Sequence, residues 1–146
     1  MRILFRLAGL AALSLAGACC CSSTEPEGVR ELAVIDYDDD GQPRITVPAT
    51  ARAGEPFTAV VVTRASGCVD AETDLSVSGA TADITPYYIR LPPEGRTCPD
   101  GPSSRTREVV VRFAAPGQAT VRVRGLRDES ADTVVITRTV MVQPAS

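Results

Sequence analysis

The segment Asp36-Tyr37-Asp38-Asp39-Asp40-Gly41 sets carboxylates at alternate positions and closes on a glycine. That order suits wrapping a hard cation in oxygen. Asp36, Asp38 and Asp40 are therefore the candidate ligands for calcium. A second chemistry lies in five cysteines: Cys19, Cys20 and Cys21 are adjacent, while Cys68 and Cys98 stand alone farther along. The rest of the inventory is set by what is missing. All 15 basic side chains are arginine, and the chain has no histidine, lysine or tryptophan.

Those absences exclude most catalytic constellations. Without histidine there is no Ser-His or Cys-His pair, and without lysine no Ser-Lys pair or Schiff base. Acid–base work would fall to carboxylates of raised pKa in a sheltered pocket, whereas the acidic residues here cluster in stretches that read as loops. The chain reads as a non-enzyme. Nucleic acid is an equally poor partner, because the net charge is −3 and aromatic residues make up only 4%. The aspartate run also departs from the EF-hand calcium loop. Counted from Asp36, its eighth position is Pro43 and its twelfth is Val47, where that loop needs a bidentate glutamate, and no helical period flanks it. Two readings remain: an acidic hairpin turn with Asp40-Gly41 at its tip, or a looser calcium site of three aspartates and backbone carbonyls. Apart from that calcium, no cofactor is expected.

Residues 1–18 differ from everything after them. Arg2 and Arg6 precede an uncharged run of 12 residues from Leu7 to Ala18, whereas a membrane-spanning helix takes about 20. A charged start, a short apolar centre and small residues at its end make the layout of a secretory signal peptide. Ala16-Gly17-Ala18 before Cys19 resembles the lipobox of bacterial lipoproteins, with one departure: Ala16 stands where leucine is usual, and Leu15 lies one place too early. The resemblance implies that the Cys19 thiol receives a diacylglycerol and that cleavage frees its amine. It also implies an outer-membrane destination in a two-membrane bacterium, since Cys20 is not the aspartate that favours inner-membrane retention.

Physical chemistry disfavours the rivals. Consecutive cysteines cannot easily converge on one tetrahedral metal, and vicinal disulfides are strained. Each buried methylene of an acyl chain contributes about 0.8 kcal/mol, and two chains anchor firmly. Residues 19–28 then form the lipidated cysteine and a polar tether, Ser22 to Gly28, with no periodicity. With Arg2 and Arg6 removed the side-chain balance is 13 − 18 = −5.

Residues 29–143 read as one all-β domain. Val109, Val111 and Phe113 alternate with Glu108 and Arg112, although Val110 breaks the polarity of the outer face. Val121 and Val123 alternate with Arg122 and Arg124, and Phe57 to Val62 is apolar on most of both faces, as a central strand is. Further strands are expected at Glu31–Tyr37, Arg44–Val47, Thr73–Ser78, Ala82–Leu91 and Thr133–Val142. Turn pairs punctuate them at Asp40-Gly41, Ala53-Gly54, Ser66-Gly67 and Pro116-Gly117. Pro86 predicts an edge strand or a split one, and Arg138, on the apolar face, predicts a bulge or an edge.

This spacing predicts a β-sandwich of immunoglobulin-like architecture, with a small β-barrel as runner-up. Phe113 to Gly125, "FAAPGQATVRVRG", and Val47 to Val62 resemble segments of bacterial immunoglobulin-like domains; the resemblance implies that Pro116-Gly117 carries the chain between sheets. Such a crossing separates Arg112 from Arg122 and leaves no anion site between them. In an exported chain Cys68 and Cys98 read as a disulfide pinning two loops, since two thiolates without histidine cannot hold zinc structurally.

The sequence thus predicts a lipid-anchored, non-catalytic protein of the cell envelope. It would be held to the membrane through Cys19 and would carry an immunoglobulin-like binding or structural module for an envelope protein or glycan. The alternative is a calcium-dependent carbohydrate-binding or adhesion module using Asp36, Asp38 and Asp40.

Overall fold

The computed structural model describes residues 28–92, 95, 97, 98, 100–128 and 132–146. The leader, Cys19 and the tether up to residue 27 lie outside the described residues. Among the described residues ten strands follow in order: β1 (Val29–Leu32), β2 (Val34–Ile35), β3 (Ile45–Thr46), β4 (Thr50–Arg52), β5 (Pro56–Ser66), β6 (Val69–Ser78), β7 (Thr81–Arg90), β8 (Pro102–Arg112), β9 (Gly117–Leu126) and β10 (Thr133–Gln143). The fold is all-β, and its mixed sheet is not closed into a barrel, in keeping with a β-sandwich.

Two ladders carry the structure. In one, β6 pairs β7, β7 pairs β9, β9 pairs β10, and β10 ends on β4. In the other, β8 pairs β5, and β5 takes β2 and β3 along its opposite edge. The first strand joins them. β1 lies antiparallel to β7; after Ala33, β2 lies against β5 and touches β9 at Leu126. Gly125 permits that approach, because a Cβ there would stand 2.6 Å from the Ile35 side chain and 3.0 Å from the Ala33 carbonyl.

The alternation read from the sequence is the alternation that is buried. Ala59 and Val61 of β5, Val109 and Val111 of β8, Val121 and Val123 of β9, and Val140 and Val142 of β10 share one core with Ile35, Ile84 and Phe113. Phe57 stacks obliquely on Phe113 with ring centroids 5.9 Å apart. Burial of one such valine or isoleucine contributes about 1.5–3 kcal/mol, so the core rather than any surface pair dominates stability. As expected, β8 and β9 do not pair with each other, and Arg112 and Arg122 belong to different ladders.

Two expectations need correction. Pro86 neither splits β7 nor puts it on an edge: β7 runs unbroken from Thr81 to Arg90 with neighbours on both sides. The reason is local. Along that edge β9 pairs as far as Ile84 and β1 begins at Tyr87, so Pro86 sits where one neighbour hands over to the other. Its carbonyl accepts the Ala33 N–H at 2.9 Å. In a strand the N–H and C=O of a residue face the same edge, so the donor proline lacks is one the junction does not use. Arg138 causes no bulge, since β10 and β9 pair one to one from Thr133↔Leu126 to Val142↔Gly117. The edge half of that expectation holds: β4 covers only Met141 to Gln143, so Arg138 lies on an uncovered margin.

Candidate functional site

At the end of the sandwich where β5, β7 and β9 finish and β6 and β8 begin, a cavity of about 440 Å³ opens, within the size range of small-ligand sites. Leu32, Val34, Val69 and Leu126 give it apolar walls, and Tyr88, 5% exposed, stands at its base. The polar groups at the rim are Glu31, Arg64, Ser66 and Arg90. Two of these neutralise each other. The Arg90 guanidinium donates to both Glu31 carboxylate oxygens, at 3.2 Å from Nε and 2.8 Å from Nη2. Those bonds hold the Glu31 carboxyl below its usual range and the Arg90 guanidinium above its own. Arg64 is different. Among the described residues its exposed guanidinium has no hydrogen-bond or ionic partner, so a positive charge without a counter-charge there stands beside an apolar hollow.

Beneath the cavity lies a polar clamp that sequence reading missed. Arg107 of β8 is only 6% exposed and reaches the opposite ladder. Its Nη1 donates to the Glu72 carbonyl at 2.7 Å and the Thr73 hydroxyl at 3.3 Å, and its Nη2 to the Tyr87 carbonyl at 2.9 Å. Nε donates to Thr63 Oγ1 at 3.1 Å, and that hydroxyl lies 2.6 Å from the Tyr88 hydroxyl. The guanidinium carbon stands 4.6 Å from the centre of the Tyr88 ring. Dipoles and a ring face, rather than a carboxylate, thus solvate this buried cation. The clamp fixes the base of the cavity by holding Tyr88. The signal was present in the chain: two residues before Val109, on the same strand, is Arg107.

The calcium candidates do not converge. Asp36, 5% exposed, turns inward, accepting from Arg44 at 3.1 Å and from the Ser104 hydroxyl at 2.8 Å. One Asp38 carboxylate oxygen accepts the backbone N–H groups of Asp40 and Gln42, at 3.1 and 2.7 Å, which makes it the brace of a turn. Tyr37 bridges Pro43 across that turn, with Gly41 at a φ of 72°. Arg44 already supplies the positive charge that a cation would bring to Asp36. Among the described residues no group of three His, Cys, Asp or Glu side chains is placed to hold a metal ion.

Cys68 and Cys98 are joined, with Cα atoms 4.9 Å apart. The bond ties the β5–β6 turn to the segment between β7 and β8, beside the cavity; Leu91 N–H also donates to the Cys68 carbonyl at 3.0 Å. Cavity and crosslink therefore occupy one end of the domain. No protein-family model matches this chain, and no curated protein or solved structure shows significant similarity to it.

Proposed function

We propose that this chain is an exported, non-catalytic binding protein of the cell envelope, held to a membrane through an acylated Cys19. Its ligand, in this reading, carries one anionic group on a compact apolar body and seats at the crosslinked end. The observation that carries the ligand class is Arg64, without a partner among the described residues, beside walls of Leu32, Val34, Val69 and Leu126. An anion at Arg64 gains a charge-assisted contact, while its apolar part displaces water from the hollow. The Cys68–Cys98 bond supports export, because disulfides persist in oxidising compartments.

The probe for the cavity is 8-anilinonaphthalene-1-sulfonate, an anion on an apolar ring system. The native protein should bind it one-to-one, with affinity falling about tenfold in Arg64→Gln and unchanged in Arg124→Gln, an exposed arginine elsewhere. Equal affinity in the wild-type and Arg64→Gln proteins would overturn the ligand class. For the anchor, Cys19→Ala should move the protein from the membrane to the soluble fraction; persistence in the membrane would overturn acylation at Cys19.

A further inference from the structure

The cavity and the tether meet at one end of the domain. Gly28 packs on the last residues of β7, where a Cβ in its place would stand 2.6 Å from the Arg90 carbonyl oxygen. Val29 then pairs with Arg90, and Arg30 with Ile89. Glu31 and Arg90 belong to the rim of the cavity, and Leu91 N–H is bonded to the carbonyl of the crosslinked Cys68. The chain thus enters the sandwich beside the cavity mouth.

The opposite end is well removed. Strand β7 runs ten residues from Thr81 to Arg90, about 30 Å at the usual rise of a strand. The turn from Ser78 of β6 to Thr81 therefore lies most of a domain's length from Gly28. From Cys19 to Gly28 is 28 − 19 = 9 residues, which reach at most about 32 Å. An acyl group on Cys19 would keep Gly28, and with it the cavity mouth, within that distance of the bilayer. The far turn is under no such restraint.

The chemistry of the mouth matches what a bilayer surface offers. Arg90 is already occupied by Glu31, which leaves Arg64 at the rim to meet an anion, with Leu32, Val34, Val69 and Leu126 as the apolar lining. One cation matches one carboxylate. A volume of about 440 Å³ lies at the small end of the range for ligand sites, which suits one acyl chain rather than two. We propose that this end faces the bilayer holding Cys19, and that the cavity takes a single-chain fatty acid carried in that bilayer. Its carboxylate meets Arg64 at the rim and its chain lies along the apolar walls. Both parts rest on the anionic ligand and the acylated Cys19 proposed above, and add to them the direction of the mouth and the kind of molecule.

The chain lacks tryptophan, so single reporters can be placed by Val29→Trp, at a 65% exposed position beside the mouth, and by Ser78→Trp, at the exposed far turn. Each acylated variant is reconstituted in phosphatidylcholine vesicles containing a lipid with a dansyl headgroup. Energy transfer should be several-fold stronger from Val29→Trp; equal or stronger transfer from Ser78→Trp overturns the orientation. For the ligand, the vesicles carry a medium-chain fatty acid bearing a diazirine, which on irradiation expels N2 and inserts as a carbene into a neighbouring C–H bond. Peptide mapping should find the label on the cavity walls. Labelling should fall about tenfold in Arg64→Gln and with the methyl ester, which lacks the charge. Circular dichroism of each variant reports whether it folds. Label spread over the surface, or unchanged in Arg64→Gln and with the ester, overturns the fatty acid. If the naphthalene sulfonate still binds through Arg64, the ligand class stands and the lipid alone falls; if neither probe depends on Arg64, both fall. A Cys19→Ala protein that stays in the membrane removes the anchor and the orientation with it.

Discussion

The Arg107 clamp permits a quantitative test. Arg107→Met keeps an unbranched apolar side chain in place and removes the cation with its four donated hydrogen bonds. A hydrogen bond to a charged group contributes about 1.5–3 kcal/mol, which makes the gross loss roughly 6–12 kcal/mol. Against this stands the desolvation of the guanidinium, several kcal/mol for a buried ion, which methionine avoids. Thr63 and Tyr88 still satisfy each other at 2.6 Å, so few polar atoms are orphaned. The expected net cost is about 2–3 kcal/mol. Arg107→Ala also deletes two buried methylenes, at about 0.8 kcal/mol each, and should cost about 4 kcal/mol. With no tryptophan and three tyrosines in the chain, urea unfolding is followed by tyrosine fluorescence and far-ultraviolet circular dichroism, and the slope should stay constant. An Arg107→Met protein as stable as wild type, or more so, would refute the reasoning: the clamp would then be tolerated by the fold rather than holding it.

Other perturbations bear on the crosslink and on charge. Replacing Cys68 and Cys98 by serine releases a span of 30 residues, and loop entropy sets the loss at about 3–4 kcal/mol by denaturant titration. Glu31 and Asp83 have carboxyls held below their ordinary values of 4.5 and 3.8 by Arg90 and Arg122. Their contribution is complete above those ordinary values and is lost as pH falls through the lowered ones, so the melting temperature should drop on the acid side of pH 4. Both pairs are solvent-exposed, so Arg122→Gln should lessen that drop only slightly while raising the Asp83 carboxyl titration seen by NMR. Asp36→Asn should cost about 1 kcal/mol through its bonds to Ser104 and the half-exposed Arg44. Excess calcium should leave the melting temperature of the wild-type protein unchanged; a clear rise would reinstate the aspartate turn as a cation site.

Where side-chain period and burial agree, the chain declares its strands. The Val109–Phe113 and Val121–Arg124 alternations mark which faces turn inward, and Cys68 is joined to Cys98, the pairing expected of two isolated cysteines with no histidine beside them. What sequence reading misses depends on neighbours it cannot see. Arg107 obeys the same two-residue period as Val109, but an arginine on the inner face makes sense only once carbonyls of the other ladder lie within reach. Pro86 is harmless only because β9 and β1 change places beside it. The aspartate run has the composition of a cation loop, yet Arg44, eight residues after Asp36, turns that carboxylate away. The cavity lay beyond the reach of pattern, since its walls come from strands distant in sequence.

The last strand has a consequence for timing. β4 finds its ladder partner in β10, where Thr50 pairs with Met141, 141 − 50 = 91 residues downstream. Ala53 likewise waits for the Gln143 carbonyl, at 2.8 Å. Contacts of such separation form late and slowly. The sandwich therefore cannot close over β4 until both ends of that span are present, and a chain interrupted between them would hold β4 without its ladder.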